Sequence, residues 1–449
     1  MTFSAKIKKP PTSVPAPILL GWRKPDAPTA IGFQVAHNLT DASDSDTREL
    51  FLNEDGEGHL LTIGSTGSGK GRCAILPASL TYPGSIICVD PKGEAARVSA
   101  RRRREMGQEV VLLDPFNLVT ERSDTFNPFD LAALTDLSPA EFGLLTPSFL
   151  HPDSNSLQDP FWDKSADALI AGASCALLAG QSVKDRSLIA LRRLLKADDV
   201  VYKLAVMLDK EPKPPSLAYE NIGSFLNTED KCRSGILATA QQHFSLLADP
   251  RVEAVLASTS FDLEGLMTGK EMSLYLILPP SRLASHSNLL RIWLVALLHV
   301  LKSRTFKVPT PTLALIDETA QLGRTREIVE IVTLLRSYSL RCWTFFQSIH
   351  QLRHVYGADA GTLLDNAIVL QVFGCSNYPG AEAIAALLGP GVSAQDLLEL
   401  GGDEQIVCTQ GRVQKLQKLD YLKDKKFQDY ADKNTMYEAR GSVGDPRVK

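Results

Sequence analysis

The chain has 449 residues, of which 44% are hydrophobic and 22% charged, and its net charge at pH 7 is −4. That balance excludes a disordered or low-complexity polymer, and at roughly 150 residues per domain the length points to two or three units. Near-neutrality excludes a global field drawing the protein onto DNA or anionic lipid, so any nucleic-acid contact has to come from a local basic surface.

The odd set of seven cysteines, Cys73, Cys88, Cys175, Cys232, Cys342, Cys375 and Cys408, stands singly with no C-x-x-C pair. With no signal peptide read at the start, this is the usage expected of reduced core thiols in a cytosolic protein. The two best membrane candidates, Ala166 to Gly180 and Leu289 to Leu301, are shorter than the roughly 20 apolar residues needed to cross a bilayer. The second also carries Arg291 and His299, so both are read as buried helices.

In chain order, residues 1–52 read as an extended N-terminal arm, with Lys6, Lys8, Lys9 and the prolines 10, 11, 15 and 17. Next comes HLLTIGSTGSGKG, His59 to Gly71, an apolar strand running into a glycine-rich loop with the spacing G-x-x-x-x-G-K from Gly64 to Lys70. Backbone N–H groups at a helix N-terminus, reinforced by one lysine, form an economical cradle for a polyphosphate. Gly64, Gly67 and Gly69 allow the tight curl that a Cβ would block. Gly64, Ser65, Thr66, Gly67, Ser68, Gly69, Lys70, Gly71 and Arg72 are the predicted nucleotide-binding set for ATP. Gly71 stands where Ser or Thr usually supplies a hydroxyl to Mg²⁺, so Asp317 and waters are expected to supply more of the metal shell.

Strands are predicted at Leu60–Ile63, Ser85–Asp90, Glu109–Asp114, Met272–Leu278, Thr312–Asp317, Cys342–Phe346, Ala367–Phe373 and Gln405–Thr409. Most are continuously apolar, as in a parallel sheet covered on both faces, and helical patterns lie between many of them (Gly93–Met106, Asn288–Ser303, Arg326–Tyr338). The fold class is therefore α/β. Residues 53–130 and 261–420 form one nucleotide-binding unit, 131–260 an inserted all-helical domain, and 421–449 a peripheral tail. In the insert, Ser165–Leu178, Leu188–Lys196 and Asp198–Leu208 read as helices. Its basic residues Lys184, Arg186, Arg192, Arg193 and Lys196 lack interleaved aromatics, so single-strand binding is not specifically indicated. The run Arg101–Arg104 reads as a solvated helix end.

Three strand ends carry candidate chemistry. TLALIDETAQLG, Thr312 to Gly323, ends a buried strand on Asp317, placed to hold Mg²⁺ directly or through water, and Glu318, placed to polarise the attacking water. CWTFFQS, Cys342 to Ser348, ends on Gln347, whose amide can bond a γ-phosphate oxygen or the lytic water. VDPKGE places Asp90, Lys92 and Glu94 at the same carboxyl edge, with Asp90 as an outer magnesium group, acting through the ion's waters, or as an alternative base. Hydrolysis also needs an arginine on the transition state, commonly from a neighbouring subunit; Arg336 is the leading candidate, with Arg324 and Arg341 as rivals.

These blocks together resemble the coupling ATPases of type IV secretion and bacterial conjugation, the TraG/TraD class. The likeness includes the loop Gly64–Gly71, DPKGE at Asp90–Glu94, FNPFD at Phe126–Asp130 and DPFWDKSADAL at Asp159–Leu169. It continues through YLILPPSRL at Tyr275–Leu283, IDETAQLG at Ile316–Gly323 and FQSIHQLRHVYG at Phe346–Gly357. The resemblance implies a RecA-like P-loop motor domain interrupted by a helical domain that faces the cytoplasm and receives substrate. It also implies a hexameric ring with ATP between subunits and Arg336 in the trans position. In that family the ring delivers a DNA strand with its relaxase, or effector proteins, to the secretion channel. Typical members begin with two membrane-spanning helices; with none read here, the chain is expected to be a form that lacks them, docking on a membrane partner at the inner face of the membrane or repurposed. Two alternatives stay open: a soluble DNA-translocating ATPase of plasmid maintenance or phage defence, and a nucleotide-gated adaptor with little turnover.

Overall fold

The computed structural model describes residues 16–23, 49–53, 58–152, 160–180, 186–210, 213–334, 338–434 and 437. In chain order the strands are β1 Ile18–Arg23, β2 Glu49–Asn53, β3 His59–Ile63, β4 Ile86–Asp90, β5 Glu109–Leu113 and β6 Met272–Ile277, then β7 Thr312–Ile316, β8 Leu340–Phe346, β9 Ala367–Val372, β10 Glu404–Thr409 and β11 Arg412–Gln417. Apolar runs without alternation need cover on both faces, and β3, β4, β6, β7 and β8 are accordingly buried along their whole length. The strands form one 11-stranded sheet in the order β2-β1-β11-β10-β9-β3-β8-β7-β4-β6-β5. From β9 to β5 every pairing is parallel; β10, β11, β1 and β2 extend the sheet antiparallel. The fold is thus α/β with a mostly parallel sheet flanked by helices.

The eight expected strands all form. The described parts of residues 1–52 depart from the expected arm, because β1 and β2 pair with each other and β1 joins β11. Polar side chains fix this extension to the parallel half. Trp343 Nε1 donates to Thr62 Oγ1 (2.8 Å), whose hydroxyl donates to Gln371 Oε1 (2.7 Å). Gln371 Nε2 then donates to Gln405 Oε1 (2.6 Å), and Gln405 Nε2 to the Leu20 carbonyl (2.8 Å). Each buried amide finds a partner on the next strand, so the network specifies register across β8, β3, β9, β10 and β1.

From Asp130 to Thr268 the described elements are helical. Their core is continuous with one face of the sheet: Phe142, Leu169 and Ile222 belong to the same buried cluster as Leu61, Ile63 and Ile316. The longest helix, Pro280–Lys302, extends eight residues upstream of the expected start at Asn288, opening on a proline suited to a first turn. By length and composition alone it could cross a membrane, but its segment from Leu289 to Leu301 packs inside this core. Arg291 on it donates to the Ser148 carbonyl (2.9 Å) and to those of Leu322 (3.2 Å) and Arg324 (3.0 Å), tying the helical region to the turn after the acidic pair.

The opposite face holds Ile75, Leu80, Val98, Tyr275 and Leu313, and against it packs the segment expected to be a peripheral tail, with Tyr421 and Phe427 buried. The arginine run also departs from expectation. Arg101 pairs with Glu105 and Asp432, and Arg102 stacks on Tyr430 at 3.9 Å. Arg103 is fully buried in helix Glu94–Glu105, donating to Ser273 Oγ (2.7 Å), Gln108 Oε1 (2.6 Å) and the carbonyls of Tyr82 and Gly84. Desolvation pulls its pKa down to about 10, so it remains charged at neutral pH. Replacing Arg103 by Met should cost about 3 kcal/mol of unfolding free energy, because four acceptors each lose a hydrogen bond in the interior. Arg104→Ala, on the exposed side of the same helix, should cost well under about 1 kcal/mol; urea denaturation of both variants makes the comparison.

Candidate active site

The strand order converges three loops on one edge. β8 lies between β3 and β7, with Phe346 level with Ile63 on one side and Thr344 level with Ile316 on the other. The residues that follow, Gly64–Gly71, Asp317–Glu318 and Gln347, therefore emerge side by side at the carboxyl ends of parallel strands, where open α/β sheets bind ligands.

The loop after β3 is pinned by a bond from Gly64 N–H to the Phe346 carbonyl (3.0 Å) and a turn from Ser68 N–H to the Ser65 carbonyl (3.1 Å). Gly67 and Gly69 have φ of 81° and 95°, left-handed conformations that glycine adopts without strain. At Gly64 the constraint is space, since a Cβ would meet Ser68 Oγ at 2.5 Å and Phe373 Cβ at 2.9 Å. The loop opens into a π-type turn, Gly71–Ile75, that continues as helix Leu76–Thr81. Ser68 Oγ is buried without a hydrogen-bond partner among the described residues, as suits a hydroxyl that bonds an anion in the loop.

Lys70 is buried, and its Nζ donates to the carbonyls of Gly64 (2.6 Å) and Ser65 (3.3 Å). Burial lowers its pKa, while the charges of Glu318 and Asp317 oppose that shift. Burial, and then the Glu318 carboxylate, push Asp317 up to about 7 against the pull of Lys70 and Lys92. Glu318 sits at φ 49°, ψ 44°, a left-handed conformation unusual outside glycine and asparagine. That backbone turns the Glu318 side chain toward β8, where Gln347 Nε2 donates to Glu318 Oε2 at 2.9 Å. Gln347 N–H in turn donates to Gln351 Oε1 (2.8 Å).

Three side chains are engaged elsewhere in the fold. Asp90 accepts from the backbone N–H groups of Glu94 and Ala96, both at 2.9 Å, one on each carboxylate oxygen; the DPKGE turn uses it to anchor a helix. Arg72 places its guanidinium on Asp420, so its side chain braces the loop from behind. Arg341 is buried and donates to the Ala16 carbonyl (2.8 Å), which removes it as a reach-across arginine. Arg324 pairs with Asp359 at 2.7 Å, and Arg336 lies outside the described residues.

One residue escaped the sequence reading. Lys418, buried just after β11, donates to the carbonyls of Ser68 (3.0 Å), Gly402 (3.0 Å) and Phe373 (3.4 Å). It ties the loop, through the Ser68 carbonyl, to the segments that follow β9 and precede β10. A lone lysine in a lysine-rich C-terminal stretch carries no sequence signal for this role.

Comparison with known proteins agrees with this geometry. Residues 30–391 match the family described as type IV secretory system conjugative DNA transfer. The conjugal transfer protein TraG of Agrobacterium fabrum is 25% identical over 312 residues, 68% of this chain and 47% of that protein. The coupling protein VirD4 of Bartonella quintana is 25% identical over 314 residues, 69% of this chain and 49% of that one. The chain thus spans about half the length of these curated relatives. Among solved structures, the conjugative coupling protein TrwB lacking its N-terminal segment covers 81% of this chain and 85% of its own at 17% identity, with a TM-score of 0.65. A TrwB complex with a non-hydrolysable ATP analogue scores 0.65 at 18% identity, covering 81% and 86%. The structure of VirB4 from Thermoanaerobacter pseudethanolicus scores 0.51 at 14% identity, covering 86% and 98%. The shared fold is the RecA-like P-loop NTPase.

The raised pKa of Asp317 has a stability consequence. Its folded value of about 7 lies above the ordinary 3.8, so the contribution present below about pH 4 is lost as pH rises through 7. Asp317→Asn should therefore stabilise the nucleotide-free protein at pH 8.5 by on the order of 2 kcal/mol, read as a higher melting temperature, with a much smaller gain at pH 5. An equal effect at both pH values would count against a carboxyl held protonated by its surroundings.

Proposed function

This chain belongs to the type IV secretory system conjugative DNA transfer family, and from that membership we propose that it is a coupling ATPase, hydrolysing ATP to recruit or move DNA, or a protein–DNA complex, toward a secretion channel. The observation that carries the reading is the Gln347–Glu318 hydrogen bond at 2.9 Å, made beside a phosphate loop whose Lys70 feels the charge of both acidic neighbours. A carboxylate at the end of one strand, an amide at the end of the next and a lysine from a third are the parts that phosphoryl transfer to water needs.

In this mechanism the loop amides from Gly67 to Arg72 and Ser68 Oγ bind phosphate oxygens, and Lys70 leaves its carbonyl partners for the β- and γ-phosphates. The loop and Asp317 fit a bound Mg²⁺, which would supply Lewis-acid charge at the phosphates. Asp317 must ionise to hold it, so nucleotide with magnesium favours the deprotonated acid. Glu318 orients the water and accepts its proton. Gln347 bridges Glu318 and the γ-phosphate, so loss of that phosphate alters its bonding. Lys92, whose charge acts on both Lys70 and Asp317, adds positive potential at the rim.

With Arg341 buried in its own subunit, Arg336 carries the proposed trans role, reaching the nucleotide of a neighbour in a ring. Channel or membrane-anchor proteins would then hold that ring at the inner face of the membrane.

Glu318→Gln should leave ATP affinity within a few-fold of the parent while lowering turnover by at least about 100-fold, the span of a lost general base. Turnover of the parent should rise on adding DNA, and that rise should vanish in the variant; unchanged hydrolysis by the variant would overturn the role of Glu318. Gly71→Ser provides a second test. A Cβ at Gly71 meets only Glu94 Oε2, at 3.9 Å, so the variant should fold normally. Its added hydroxyl should lower the magnesium concentration for half-maximal turnover by several-fold. An unchanged magnesium requirement would mean that Gly71 does not face the metal.

A further inference from the structure

Away from the nucleotide loop, the helical region brings two imidazoles and a carboxylate together from three segments. His151 follows helix Pro139–Leu150, Asp167 lies on helix Phe161–Gly180, and His243 ends helix Asp230–His243. One ligand atom from each lies within 4.8 Å of the others. His151 Nε2 is 2.7 Å from Asp167 Oδ1, and His151 Nδ1 is 3.0 Å from the Pro152 carbonyl oxygen. The rings of His151 and His243 stack with centroids 4.1 Å apart and planes inclined by 23°. His243 Nε2 is buried without a hydrogen-bond partner among the described residues.

A buried ring nitrogen with no partner is uncommon and calls for a physical reason. Here its neighbours are a second imidazole and a carboxylate. The His151 ring is further fixed through its other nitrogen by a backbone carbonyl, the support that metal-binding histidines commonly have.

We propose that His151, Asp167 and His243 bind one divalent cation of the borderline class, best matched by Zn²⁺. Two imidazoles and a carboxylate are a ligand set that zinc accepts, and three protein ligands leave a fourth position for another donor. Tetrahedral zinc ligands sit about 3.4 Å apart, so side-chain rotation has to close the widest pair by at most roughly 1.4 Å and open the His151–Asp167 pair from 2.7 Å. A water would complete the fourth position.

The site lies beside the acidic turn. A Cβ on Gly323, which closes the turn after Glu318, would meet Pro152 Cβ at 2.9 Å. A cation on His151 would thus tie helices Phe161–Gly180 and Asp230–His243 to the segment that abuts that turn.

The test is titration of chelator-stripped full chain, without nucleotide, using Zn²⁺ or Co²⁺ alone. One equivalent should bind and raise the melting temperature, and Co²⁺ should give the visible absorption of a tetrahedral site without thiolate charge-transfer bands. His243→Gln and Asp167→Asn should each weaken binding by about tenfold or more. His299→Gln, at a partly buried histidine outside the cluster, should leave binding intact. If His243→Gln fails to fold, Asp167→Asn decides alone. No saturable binding, binding untouched by these substitutions, or a thiolate band would overturn the proposal.

Discussion

Attraction between one ammonium and two carboxylates, confined to a poorly solvated sheet edge, is the constraint around which this molecule is arranged. Lys70 loses hydration by burial and recovers part of that loss from Glu318 and Asp317. Asp317 in turn is poised between its charged and neutral forms, with a pKa of about 7. Such a cluster is stable only if the strands bearing it cannot slide, and the parallel ladders from β3 through β8 to β7 provide that rigidity. The strained backbone of Glu318 is maintained on the same scaffold, with Thr319 Oγ1 donating to the Ile316 carbonyl at 2.8 Å and accepting from Phe345 N–H at 3.2 Å. Strain that the surroundings over-determine in this way is characteristic of working sites.

Buried cations perform a second task throughout the fold. Arg291, Arg304 and Lys418 each satisfy carbonyls from two or more separate segments, and Arg103 those of the turn at Tyr82 and Gly84. A guanidinium offers five donors in a planar fork, so one side chain can fix several loop carbonyls that lack a ladder partner. Arg291 has the most direct bearing on function, because its carbonyl partners lie on the helical region and on the turn beyond Glu318. A displacement of that turn would be felt in the helices through the same side chain. Lys418 plays the corresponding part for the phosphate loop from the antiparallel side of the sheet.

Chemistry that depends on neighbours along the chain is legible in the sequence. The glycine spacing of the loop, the acidic pair ending a buried strand and the glutamine ending another can all be read there, because each is a local pattern on one strand–loop unit. The eight strands are legible for the same reason: continuous apolar runs bounded by turn residues have few other ways to be buried. Less legible are β1, β2 and β11, because the pairing that joins β1 to β11 spans hundreds of residues, and their flanking prolines, lysines and polar residues imitate a loose arm or tail. Arg103 and Arg341 are the clearest misreadings. A charge within a basic run or beside a strand looks solvated until the acceptors that bury it, such as Gly84 and Ala16, are brought up by folding.

By itself, then, the sequence determined where a glycine-rich loop closes on a lysine and which acids and amide end the buried strands, since these follow from backbone conformation and side-chain chemistry within short segments. Tertiary structure alone decided that Gln347 meets Glu318, that the Arg72 guanidinium lies on Asp420, that Lys418 supports the loop, and that two histidines and an aspartate share a corner of the helical region. Each of these turns on the relative placement of elements far apart in the chain, and that placement is set by strand order and core packing, which local pattern does not encode.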